Sequence, residues 1–199
     1  MSRISVAITK MQFEFIRDRI YSILKDELAT QYLLSYDPDL ENVEVTIENN
    51  NPSIDKERLT LVNVSTAQGD YDGKHQGWRK GTYQYFIDVY TSSKTNPNNP
   101  GDYLSSIKLH KFIRIVSYIL EDPQYKVLGF ANSYINRTLV NGFKIAEANK
   151  EDALNTMMGR ITFTVEANES NPLITPSLIA GYETQFTLNN TGLGYNLQV

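Results

Sequence analysis

Between Thr82 and Asp122 the hydrophobic period of the chain changes from two to 3.6, and this switch limits the fold more than any other feature. In TYQYFIDVYTSSK, Tyr83, Tyr85, Ile87 and Val89 alternate with Gln84 and Asp88, the pattern of a strand with one buried face. In DYLSSIKLHKFIRIVSYILED, Leu109, Phe112, Ile113, Val116, Ile119 and Leu120 recur at helical spacing, with Lys108, Lys111 and Arg114 largely on other sides. That predicts an amphipathic helix of about five turns. Pro97, Pro100 and Gly101 stop either element from continuing, so a sheet strand hands over to a helix that covers the sheet.

The flanking sequence extends this α+β pattern. Phe13, Ile16, Ile20, Ile23, Leu24 and Leu28 mark a second long helix from Thr9 to Leu34, with Thr9 and Gln12 at capping-box spacing and Pro38 closing the region. Ile4, Val6 and Ile8 alternate before it, as an edge strand or a lead-in. Val43, Val45 and Ile47 alternate with Glu44, Thr46 and Glu48, a half-buried strand with an acidic outer face. Arg58–Thr66 is apolar on both sides, as in a central strand, and AQGDYDGKHQGWRKG reads as a long glycine-rich loop. KVLGF reads as a short strand and SYINRTLVNGFKIAEA as a hairpin turning at Asn141-Gly142. Glu151–Met158 is a helical turn or a lead-in to the strand GRITFTVEA, where Ile161, Phe163, Val165 and Ala167 share one face.

The expected architecture is an antiparallel (mixed) sheet packed against two long helices, with residues 1–168 as one domain and 169–199 as a strand-forming extension. In that extension Tyr182, Thr184, Phe186 and Leu188 alternate, either as an arm for a neighbour's sheet or as a hairpin folding back on its own chain.

Chemistry is sparse. With no cysteine and two histidines, disulfides, thiolate zinc sites and histidine-rich metal sites are excluded. Asp70 and Asp72 in GDYDG resemble the start of a calcium loop, but Lys74 and Gly81 stand where further oxygen ligands are needed. No nucleophile elbow, phosphate-binding glycine-lysine loop, dinucleotide fingerprint or H-E-x-x-H pair occurs. No catalytic residue, metal or cofactor is expected. A net charge of −4 argues against a general nucleic-acid binder. The chain has neither a signal-peptide core nor an apolar run long enough to span a bilayer, and is expected to stay soluble where it is made.

What remains points to contacts. Thirteen tyrosines in 199 residues is a high count, suiting a contact surface or simply the taste of sheets for tyrosine. Tyr71, Lys74, His75, Trp78, Arg79 and Lys80 mix basic and aromatic groups in the glycine-rich stretch, and Trp78 is the only tryptophan. With Tyr182, Phe186 and Leu188 of the extension they form the expected interface set.

The opening helix KMQFEFIRDRIYSILKDEL, the strand ERLTLVNVST, the passage from YQYFIDVYTSSKTN to LHKFIRIVSYILED and the late strand MGRITFTVEA give an order of elements over residues 9–168. This order resembles the tail terminator and head-to-tail completion (neck) proteins of tailed bacteriophages and the related terminators of contractile injection systems. The resemblance implies a non-catalytic virion subunit forming a ring, usually sixfold, that caps the tail tube and meets the head or neck. Its partners would be other copies of itself, tail tube or sheath protein, and head or neck connectors, with subunit contacts through sheet edges and the stretch Tyr71–Lys80. It would be assembled in the host cytoplasm. Two other classes stay open: a small enzyme or ligand-binding protein whose site forms only in the fold, and a DNA-contacting neck component using Lys74, Arg79 and Lys80.

Overall fold

Helix α1 (Gln12–Ser35) buries the stripe Ile16, Ile20, Ile23, Leu24 and Leu28, as its periodicity requires. Its start differs from the expected box. Met11 is the N-cap, and its N–H donates to the Glu14 carboxylate at 2.7 Å, so Glu14 rather than Gln12 closes the first turn. Tyr36 ends the helix in the left-handed region (φ 52°). The four-residue α2 (Pro38–Glu41) follows, capped by Asp37, whose carboxylate accepts from the Asp39 N–H at 3.1 Å.

The computed structural model describes residues 10–49, 60–72, 78–130, 134–147, 156–170, 186–187 and 194–195. It divides into two units, Ile8–Ser170 and a second made of Met1–Ala7 with Asn171–Val199. The first is α+β. Its mixed sheet has the strand order β1 (Val43–Ile47), β2 (Thr60–Tyr71), β3 (Trp78–Ser92), β5 (Thr156–Ser170), β4 (Ile135–Glu147), and α3 (Gly101–Glu121) joins β3 to the β4–β5 pair.

Four local expectations are corrected. First, β1 runs parallel to β2, not antiparallel. Alternation reports which face is buried and says nothing of direction; the twelve residues 48–59 between the strands are as long as a crossover needs. Second, most of the glycine-rich stretch is strand. β2 continues to Tyr71 and β3 resumes at Trp78, paired through Tyr71 and Gly81. Gly69 and Gly81 serve packing rather than turning: a Cβ on Gly81 would lie 2.9 Å from Tyr83 Cε2, and one on Gly69 would lie 3.1 Å from Tyr83 Cδ1. Third, Asn141-Gly142 is no hairpin turn. β4 is one strand with a register shift between Val140 and Gly142, and Gly142 takes φ 140° where few side chains could. KVLGF is likewise not a strand; it follows a 3-10 turn (Pro123–Tyr125) and contains Leu128 and Gly129 at positive φ.

The core lies on one face of the sheet. Val62 and Val64 of β2, Tyr83, Tyr85, Ile87 and Val89 of β3, and Ile161, Phe163, Val165 and Ala167 of β5 are fully buried. α1 covers the β1–β2 end and α3 covers β3, β5 and β4. Tyr85 places its hydroxyl within 2.9 Å of the Phe13 carbonyl, to which it donates. At Gly159 the helix comes close enough that a Cβ would sit 2.7 Å from Ile113 Cδ1. On the opposite face Arg160 makes a two-pronged pair with buried Asp88 (2.7 and 2.9 Å) and lies 4.2 Å over the Phe86 ring.

In the second unit, Phe186–Thr187 pairs antiparallel with Gly194–Tyr195. That pairing joins two short segments of the extension to each other. Ile4, Val6, Ile8, Tyr182 and Leu188 lie outside the described residues.

Candidate assembly surface

A helix that packs on a sheet through one stripe should be polar elsewhere. α3 departs from this. Besides the buried stripe, it exposes Tyr103 (55 %), Ile107 (50 %) and Tyr118 (68 %). With His110 and Arg114 these fall at spacings of four, three, four and four, a second stripe along one side of the same helix.

This second stripe borders β4, the last strand of the sheet. One edge of β4 pairs with β5, and no described strand pairs the other. Phe143 (62 % exposed) stands beside Tyr118, His110, Ile113, Arg114, Ser117 and Glu121 around a groove of about 510 Å³. A second groove of about 350 Å³ lies between the end of α3 with the following turn and Thr138, Leu139 and Val140. A long edge strand with apolar side chains invites pairing with another chain.

The opposite edge of the sheet is different. β1 has five residues, all half-buried, and borders a groove of about 720 Å³ lined by Tyr21 and Lys25 of α1, Glu41 of α2, and Asn42 to Val45. α2 is fastened to α3 by charge. Lys111 Nζ pairs with Asp37 and, at 2.8 Å, with Asp39, while the nearly buried Lys108 reaches Asp39 at 3.5 Å. The Lys111 hydrogen bond holds Asp37 below the usual carboxylate range, whereas burial depresses Lys108 despite Asp39.

Asp37 stabilises the fold in its ionised form. Its folded value lies below the ordinary 3.8, so its contribution is complete above that value and is lost as pH falls through the folded value. Below about pH 4 the wild-type urea midpoint should therefore fall more steeply than that of Asp37→Asn. Equal falls from pH 7 to pH 3 would remove the pair as a source of stability.

The structure places the expected interface residues unevenly. Tyr71 ends β2 half-buried, its ring edge-on to Tyr83 at 6.0 Å, which makes it a packing residue more than a free contact. Lys80 is exposed on β3; Trp78 and Arg79 belong to that strand in register with Ser170 and Glu169. Lys74 and His75 lie outside the described residues, and Phe186 is in the short pair of the second unit. Tyr103, Ile107, Tyr118, Leu139 and Phe143 were not among the expected residues. Their signal in sequence was the apolar content of α3 beyond a single face, and a strand that ran through Asn-Gly.

Among the described residues no group of three or more His, Asp or Glu is placed to hold a metal ion, and no helix is long and apolar enough to cross a membrane. No protein-family model matches the chain, and no curated protein matches it significantly.

Proposed function

We propose that this chain is a non-catalytic virion subunit that closes into a ring, of six copies by the resemblance, as a tail terminator or neck (head-to-tail connector) protein capping the tail tube and joining it to the head. The observation that carries this reading is the surface made by the second stripe of α3 and the open edge of β4: Tyr118 and Phe143 are 68 % and 62 % exposed around one groove. Apolar surface of this kind is what an assembly covers. The two ends of the sheet differ in length and lining, and contacts between unlike patches propagate head to tail, closing into a ring when the rotation allows. The order of elements over residues 9–168 supplies the phage assignment, with tube, sheath and connector proteins as partners and the virion as location. The residues after Ser170, where β5 ends, are the proposed arm toward a neighbour.

The test is the native mass of the full chain across a wide concentration range, with electron microscopy of large species. A closed ring supports the proposal. A monomer at every concentration, alone and with tail tubes, overturns it.

A further inference from the structure

We infer that neighbouring copies join by strand addition, with Val43–Thr46 of β1 in one copy pairing antiparallel to Gly142–Ile145 of β4 in the next; this rests on the ring reading above. Three observations carry it.

The first is direction. Taking β1 as running up, β2 runs up, β3 down, β5 up and β4 down. Copies repeated around a ring without inversion therefore bring an upward β1 against a downward β4, the antiparallel pairing that edge addition favours.

The second is fit. The N-terminal half of β4 is flanked by the turn after α3, where the Thr138 hydroxyl donates to the Lys126 carbonyl at 3.2 Å. Beyond the shift at Asn141 the strand runs without irregularity through Glu147, and Gly142, Phe143, Lys144 and Ala146 are exposed. Val43–Thr46 of β1 match Gly142–Ile145 residue for residue, and Ile47 falls opposite the shift at Asn141.

The third is face chemistry. Phe143 is opposite Ile161 and Ile145 is opposite Gly159, so both lie on the helix-covered face, while Lys144, opposite Arg160, lies on the other. On β1, Val43 and Val45 pack against the core on the helix-covered face, which puts Glu44 on the other. Pairing Val45 with Phe143 sets Glu44 against Lys144 and Val43 against Ile145. Apolar then meets apolar on one face and acid meets base on the other, and a slip of one residue would break both matches.

The chain has no cysteine, which permits a clean test. β1 and β4 are separated by three strands, about 19 Å within one copy, so cysteines on them cannot bridge internally. Full-length Val45→Cys is mixed with full-length Phe143→Cys under mild oxidant, and Val43→Cys with Ile145→Cys as a second pair, circular dichroism confirming folding. The expected result is mixed dimer at least about tenfold above the collision control, Val45→Cys with Lys94→Cys. Mixed dimer at control level for both pairs overturns the joint. So does self-linking of Phe143→Cys in preference to mixing, which would mean a two-fold contact through β4. If rings form while both pairs stay at control level, the joint fails and the ring reading stands; if no oligomer forms either, alone or with tail tubes, both fall.

Discussion

Phe163→Ala is expected to lower stability by about 3–5 kcal/mol, the cost of emptying a phenylalanine site in a packed core. Phe163 is 0 % exposed on β5, between Tyr85 of β3 and Val140 of β4 and beneath the helix layer. Its removal takes van der Waals partners from both neighbouring strands. Neither strand can close the gap without leaving a ladder that pairs β3 with β5 from Trp78 to Ser92. Against a typical stability of about 5–15 kcal/mol, such a loss leaves a marginal fold, and the melting midpoint should fall by roughly 6–20 °C. Phe143→Ala is the comparison. It is on the same face one strand outward but 62 % exposed, and in the isolated subunit it should change stability by less than about 0.5 kcal/mol. Similar losses at both positions would mean that the edge of the sheet is as closely packed as its centre.

That contrast shows what the sequence could and could not say. Alternation in β3 and β5 and the 3.6-residue period in α1 and α3 identify the buried faces, because a face packed against another layer has to be apolar along its whole length. Tyr83, Tyr85, Ile87, Val89, Ile161, Phe163, Val165 and Ala167 are all fully buried. What those periods do not encode is direction and partner. Nothing in VEVTI distinguishes a parallel from an antiparallel neighbour. The same limit misread the glycines: Gly69 and Gly81 make room for the Tyr83 ring, and Gly142 permits a bulge, yet each looks like a turn signal in one dimension.

Charged residues misled in the opposite way. Lys108 reads as a solvated position between apolar neighbours, but it is 7 % exposed and directed at Asp39. Asp88 alternates onto the outward face of β3, where a charge would be expected to meet water; it is 3 % exposed because Arg160, one strand away, covers it and stacks on Phe86. Each polar partner lies far off in sequence, 69 residues for Lys108 with Asp39 and 72 for Arg160 with Asp88, beyond any local pattern. The candidate surface was hidden for a related reason. Phe143 lies opposite buried Ile161, and only the strand order, with β4 outermost, leaves it exposed, while Tyr118 lies off the buried stripe of α3.

Phe143→Asp is expected to abolish assembly while leaving the subunit folded. The side chain is mostly outside the core, so the change costs the isolated domain little, and circular dichroism and the melting midpoint of the monomer should stay near wild type. In the assembled state the aspartate would take the aromatic anchor out of the contact beside Tyr118 and Ile113 and set a carboxylate against the apolar residues of the next copy, whatever Arg114 and His110 offset, and losing a buried aromatic anchor at an interface costs about 2–4 kcal/mol per contact. A ring repeats that loss at every joint. At 1.4 kcal/mol per factor of ten, each contact weakens about 30-fold to 700-fold, so the native mass should fall to that of the monomer at concentrations where wild type is fully assembled. Phe15→Asp makes the same chemical change at a 46 % exposed position on α1 that lines neither the β1 groove nor the α3–β4 groove, and it should leave the mass unchanged. Were Phe143→Asp to assemble like wild type while Phe15→Asp did not, the contact would lie on the α1 side of the domain, and the β4 edge would have to be surface that the assembly leaves uncovered.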